Sequence, residues 1–271
     1  MGIGILGIGF VGGAMRESFM KHNINVVCYD KHKPQYNTFE DCLSADILFL
    51  CLPTPYSSKK QEYDKQVIES VCQELYTNNY TGSVVLKSTV EPGTITILAN
   101  KFNTLNIIHN PEFLTARTAF EDYHNQKHIV LGKEETCTKK HLDRVVGFYT
   151  KYYPDAELSI CTSLQSECMK SFTNCFYAVK VQFFTELYLL CDKTGCDYDT
   201  VKDIMLKNDW INPMHTNIPG PDGEISYGGL CFPKDTNALL KYMKLNGVPH
   251  KVLQSVIEER DTMRKDSDNC T

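Results

Sequence analysis

Residues 3–12 read IGILGIGFVG, and the next apolar run, NVVCYD at residues 25–30, closes on Asp30. Ile3 to Leu6 suit a buried strand, Gly7, Gly9 and Gly12 form GxGxxG directly after it, and a helical stretch follows. That order of strand, tight turn, helix, strand and acid predicts a dinucleotide site. Gly7 permits the turn, Gly9 lets a pyrophosphate approach the backbone, and Gly12 lets the helix pack closely while its N-terminus faces the anion. Phe10 and Val11 lie in that first turn and join the cofactor-binding candidates. Asp30 would accept hydrogen bonds from the adenosine ribose diol and repel a 2′-phosphate. The expected cofactor is therefore NAD, with Lys31 and Lys33 nearby.

Outward from this motif, short apolar runs alternate with amphipathic stretches to about residue 160, the rhythm of βαβ units and a parallel sheet. Further strands are expected at 46–51, 83–86, 106–108 and 128–131. Past their carboxyl ends lie CLPTP, STVEPGT and HNPEF, where open α/β sheets bind ligands. Pro53, Thr54 and Thr89 are cofactor-binding candidates on those turns. From residue 163 the period changes: Met169, Phe172, Phe176, Val179, Phe183, Leu187 and Leu190 recur every three or four residues. They predict one helix over 163–192, roughly 45 Å long. Shorter helices are expected at 199–207, 234–245 and 250–264, with an irregular glycine- and proline-rich segment at 212–229 and a frayed tail, KDSDNCT. The expected fold is α/β: a Rossmann-type doubly wound sheet over 1–162, then over 163–271 the long connecting helix and a smaller all-α domain for dimerisation and substrate binding.

A chain of 271 residues fits about two domains. A formal charge of -5 argues against a general nucleic-acid binder, which needs a basic face to neutralise phosphates. Twelve cysteines occur without CxxC or Cys/His metal spacing, so no metal is expected, and they read as thiols in a reducing, cytoplasmic setting. The apolar N-terminus has no charged n-region and is rich in glycine, unlike a signal peptide. No run of 18 apolar residues suggests a membrane span.

One cysteine stands apart. Cys231 lies in GGLCFPKD, after Gly228 and Gly229 and beside a helix start at Pro233. A thiol at a helix N-terminus gains thiolate character from the dipole and here from Lys234. Lys170 and Asn174, four residues apart in the long helix, share one face.

Together, GIGFVG, STVEPGT, NPEFL, the helix with Lys170 and Asn174, and GGLCFPKD resemble the ordered motifs of the UDP-glucose/GDP-mannose dehydrogenase family over residues 3–235. The resemblance implies NAD-dependent oxidation of a UDP-sugar's C6 primary alcohol by two hydride transfers, through a thiohemiacetal and thioester on Cys231. It makes Asp235 a base or water-orienting partner, has Thr89 hold the catalytic water, and makes Glu112 an acid/base or water-positioning group. Lys170 would stabilise the developing oxyanion and Asn174 would bind sugar or water. Lys234 would contact the cofactor, and Phe113, Leu114, Thr115, Tyr227, Gly228 and Gly229 the substrate. A homodimer through the long helix is expected. The same chemistry on UDP-N-acetylmannosamine or GDP-mannose, or a non-catalytic NAD-binding dimer, are the alternatives.

The family pattern is broken in two places. An acid usual two positions after NPEFL is replaced by Thr115 and Ala116 before Arg117. The family also continues through roughly another 100 residues that close over the nucleotide, whereas this sequence ends at Thr271, so that third domain is expected to be lacking.

Overall fold

A computed structural model describes residues 1–264; the tail expected to fray, 265–271, lies outside the described residues. The described residues form two compact units, one of residues 1–54 and 64–170, the other of 55–63 and 171–264.

In the first unit the strands are β1 (Ile3–Leu6), β2 (Val26–Tyr29), β3 (Ile47–Leu50), β6 (Ser83–Leu86), β7 (Asn106–His109), β8 (His128–Lys133) and β9 (Glu157–Thr162). Its helices are α1 (Phe10–Lys21), α2 (Phe39–Cys42), α3 (Gln66–Thr77), α4 (Thr94–Lys101), α5 (Ala119–His124) and α6 (Lys139–Tyr152). The seven strands lie in the order β2-β1-β3-β6-β7-β8-β9. β1, β3 and β6 are buried along their whole length, as expected of parallel strands covered by helices on both faces. Alternate residues feed two cores. Ile5, Phe49, Phe19, Phe148 and Tyr149 fill one, and Leu48, Leu50, Ile68, Leu75 and Leu98 the other.

The sheet is parallel, as read from the sequence, except at one pair: β8 runs antiparallel to β7, with Ile108 opposite Lys133 and His109 opposite Gly132. The connection from β7 to β8 carries only the six-residue α5, which packs on α1, and an antiparallel neighbour needs no long crossover helix. β9, not expected from the sequence, pairs parallel with β8.

Helix α7 (Ser163–Thr194) is continuous over 32 residues, matching the apolar period. From Ser171 it belongs to the second unit, with α8 (Tyr198–Leu206), α9 (Phe232–Leu245) and α10 (Lys251–Met263). Ala178, Phe184, Tyr198 and Tyr227 form one small core there, and Cys175, Leu239, Leu253 and Ile257 another. To these helices the structure adds an antiparallel ribbon of β4 (Tyr56–Ser57) and β5 (Glu62–Tyr63) that contacts α9. Among the described residues no helix is long and apolar enough to cross a membrane.

Candidate active site

In the first unit the glycine-rich turn fits a dinucleotide. Gly7 has φ +89°, and a β-carbon there would stand 2.3 Å from the Cys51 carbonyl oxygen. A β-carbon on Gly12 would stand 1.9 Å from the oxygen of Gly7, so only glycine lets α1 approach its own strand. Gly9 opens onto empty space and caps α1 without a side-chain hydrogen bond, so the helix start is left to an anion. Phe10 is exposed in the first turn, and Val11 packs on the core behind it.

Asp30 is tied to the turn as well as ending β2. Its Oδ2 accepts the Ile8 amide at 2.8 Å and its Oδ1 the His32 amide at 2.9 Å, while the Lys33 ammonium donates to the Ile8 carbonyl. Burial pushes its pKa up, but these two amides and the Lys33 charge outweigh it and hold the carboxyl below its usual value. Anionic Asp30 retains lone pairs for a ribose diol. The residues present therefore fit NAD.

Two loops border this turn in sequence order along the sheet. Ser88 accepts the Leu52 amide at 3.0 Å and donates to the Leu52 carbonyl at 2.7 Å, and the Thr54 hydroxyl donates to the Thr89 carbonyl at 2.9 Å. They fix Thr89, half-buried after β6, and leave Pro53 exposed. Behind them Lys87 is buried, donates to Asn110 at 2.9 Å and lies 5.6 Å from the centre of the Tyr123 ring. Burial lowers its pKa to about 8. The sequence reading missed Lys87, because a lysine beside a strand end gives no sign of its burial.

Glu112 and Lys170 come together. The Lys170 ammonium donates to the Glu112 carbonyl at 2.5 Å, stands 3.4 Å from its carboxylate, and lies 5.3 Å from the centre of the Phe113 ring. Glu112 turns back to accept the Leu114 amide at 2.6 Å. Lys170 is 4 % exposed, so its charge is shielded from bulk water and acts strongly on any oxyanion that reaches it. Phe113 and Thr115 are exposed; the Thr115 amide is taken by Asp122.

In the second unit Cys231 is the N-cap of α9 and is exposed. Cys28, Cys42, Cys72, Cys137, Cys175 and Cys191 are buried, and burial pushes the thiols of Cys42 and Cys72 up to about 12. One turn beyond Cys231, Asp235 is wholly buried. Its Oδ2 accepts Asn174 at 2.6 Å, and its Oδ1 accepts the Lys234 ammonium at 2.6 Å and the Tyr63 hydroxyl at 2.5 Å. Tyr63 had no signal in the sequence.

The loop before Cys231 is built on α10. Arg260 donates to the Tyr227 carbonyl, and Arg264 to the carbonyls of Ile225 and Ser226 and to Asp222. Gly229 has φ +77°, and Tyr227 is buried with its ring under Arg260. Among the described residues no cluster could hold a metal ion.

Comparison with known proteins gives the family of the chain. The NAD binding domain of the UDP-glucose/GDP-mannose dehydrogenase family matches residues 34–151, and the central domain of the same family matches residues 164–261. The UDP-glucose 6-dehydrogenase of Campylobacter jejuni is 27% identical over 98% of this chain and 73% of its own length. That of Rickettsia bellii is also 27% identical, over 98% of this chain and 69% of its own length. A UDP-glucose dehydrogenase structure from Pyrobaculum islandicum shares the fold with a TM-score of 0.82 at 22% identity, covering 96% of this chain and 68% of that one. With the glycine turn, Asp30 and the GGLCFPKD helix start in place, and two domains of one family matched in order along most of its length, the chain belongs to the UDP-glucose/GDP-mannose dehydrogenase family of NAD-dependent oxidoreductases.

Proposed function

We propose that the protein oxidises the C6 primary alcohol of a UDP-sugar, UDP-glucose foremost, to the uronate, with Cys231 as nucleophile. The observation that carries this reading is the exposed thiol at the start of α9, one turn from the buried Asp235 that Asn174 and Lys234 hold. NAD, when bound, would supply the oxidising power by taking up one hydride, that is two electrons and a proton, at each of the two oxidations.

The Lys170 ammonium stabilises the C6 alkoxide as the hydroxyl gives up its proton, which passes through Glu112 to water. Once the aldehyde exists, the Cys231 sulfur bonds to C6 and the carbonyl oxygen takes up a proton, giving a thiohemiacetal. The second oxidation leaves a thioester. Water, held by Thr89 and Glu112, then adds to C6; the C–S bond breaks, the thiolate returns, and the carboxylate and two protons are released. A cysteine is needed because a plain alcohol oxidation would stop at the aldehyde.

Phe172, Phe176, Phe183 and Leu190 form an exposed apolar row on α7. We assign it to a second copy of the chain, giving a homodimer that sedimentation would detect. A cytoplasmic setting supplies the nucleotide sugar and NAD and keeps the thiols reduced.

Nucleotide sugars offered with NAD test the function. Two NADH per UDP-glucose, lost in Cys231→Ser with NAD binding intact, is the expected result. Turnover only with UDP-N-acetylmannosamine or GDP-mannose would reassign the substrate. NAD binding without turnover of any sugar would make the protein a non-catalytic binder.

A further inference from the structure

We infer that Tyr63 is a positioning residue for Cys231, acting through Asp235 and Lys234. The inference rests on Cys231 being the nucleophile. Tyr63 is 2 % exposed, at the end of a ribbon that the sequence places 172 residues before Asp235. Its hydroxyl donates to Asp235 Oδ1, and its ring faces the Lys234 ammonium, 4.3 Å from Nζ to the ring centre. Lys234 is therefore held between a carboxylate oxygen and an aromatic face.

The groups facing Asp235 come from three elements: Tyr63 from β5, Lys234 from its own helix α9, and Asn174 with the Cys175 thiol from α7, the thiol donating to the Asp235 carbonyl. Lys241 and Glu62 pair nearby, joining α9 to the ribbon. With both oxygens engaged and no exposed surface, Asp235 serves as an anchor for the turn and offers no oxygen to bulk water.

The phenol matters because it shares Oδ1 with Lys234. Without that donor the carboxylate draws the ammonium more tightly and neutralises more of its charge. Lys234 lies three residues after Cys231 in the same first turn, and its positive potential favours the thiolate there. Tyr63 therefore keeps part of that charge available to the sulfur.

The test follows alkylation of Cys231 by iodoacetamide against pH, read by mass spectrometry, with exposed Cys196 as internal control. Tyr63→Phe removes one oxygen and keeps the ring. It is expected to raise the midpoint at Cys231 by about half a pH unit or more, a fraction of what a lost hydrogen bond to a charged group gives, while Cys196 keeps its own. Lys241→Met, which loosens the ribbon but spares the phenol, is expected to lower thermal stability without moving the midpoint. An unmoved midpoint in Tyr63→Phe, or equal shifts in both variants, overturns the inference. Failure of the underlying reading shows separately, as a wild-type Cys231 no more reactive than Cys196 or as uronate formation by Cys231→Ser.

Discussion

The guanidinium of Arg264 occupies the place where a side chain on Gly228 would begin: a β-carbon there would stand 2.4 Å from Nη2. The glycine pair before Cys231 thus has two separate causes, an arginine at Gly228 and a positive φ at Gly229. Gly228→Ala must push Arg264 off Asp222 and off the Ile225 and Ser226 carbonyls. We expect a loss of about 1–3 kcal/mol in urea unfolding. Adding Arg264→Ala to Gly228→Ala should cost less than the two single changes together, because both break the same contacts. Strict additivity would refute the coupling.

Glu167, wholly buried in α7, accepts the amides of Gly93 and Ile95 at 2.7 Å each, at the start of α4. Burial raises its pKa from 4.5 to about 7 against the pull of those amides, and the charges of Glu134 and Glu91 add to the rise. The folded protein therefore holds this proton more tightly than the unfolded chain. Its contribution to stability is fully present below about pH 4.5 and is lost as pH rises to about 7. Urea unfolding at pH 5, 6, 7 and 8 should show that decline in the wild type and a flatter profile in Glu167→Gln. Equal slopes in the two proteins would assign the decline elsewhere.

Asp30 would join cofactor choice to the shape of the turn, since the carboxylate proposed to meet the ribose also holds the Ile8 amide. Asp30→Ala should weaken NAD binding by roughly tenfold or more, the size of a lost hydrogen bond to a charged group. Calorimetric titration should also show the ratio of NADP to NAD affinity rising, as the negative charge no longer opposes a 2′-phosphate. A variant with the wild-type NAD affinity would remove Asp30 from the site.

The first unit was legible because its signals are local. β1, Gly7, Gly9, Gly12 and Asp30 lie within one βαβ stretch, and α7 announces itself by a period sustained over 32 residues. β9 was not, since Glu157 to Thr162 is half-buried on an edge and runs straight into α7 without a turn residue to mark it. The ribbon has two residues per strand, too few for any period. Cys231, Asp235 and Asn174 could be named from motifs, but Tyr63, Arg260 and Arg264 could not. Their roles come from pairings across long stretches of chain, such as Arg260 with Tyr227, which no spacing records.

The ribbon of residues 55–63 belongs to one compact unit with helices that follow it by more than a hundred residues. A chain emerging from the ribosome therefore exposes Tyr63 long before Asp235 is made. Tyr63 meets Asp235 only when α9 has been synthesised, and the unit is complete only after α10, so an early-made segment waits for late-made partners. A fragment beginning at residue 171 would carry the thiol without the phenol.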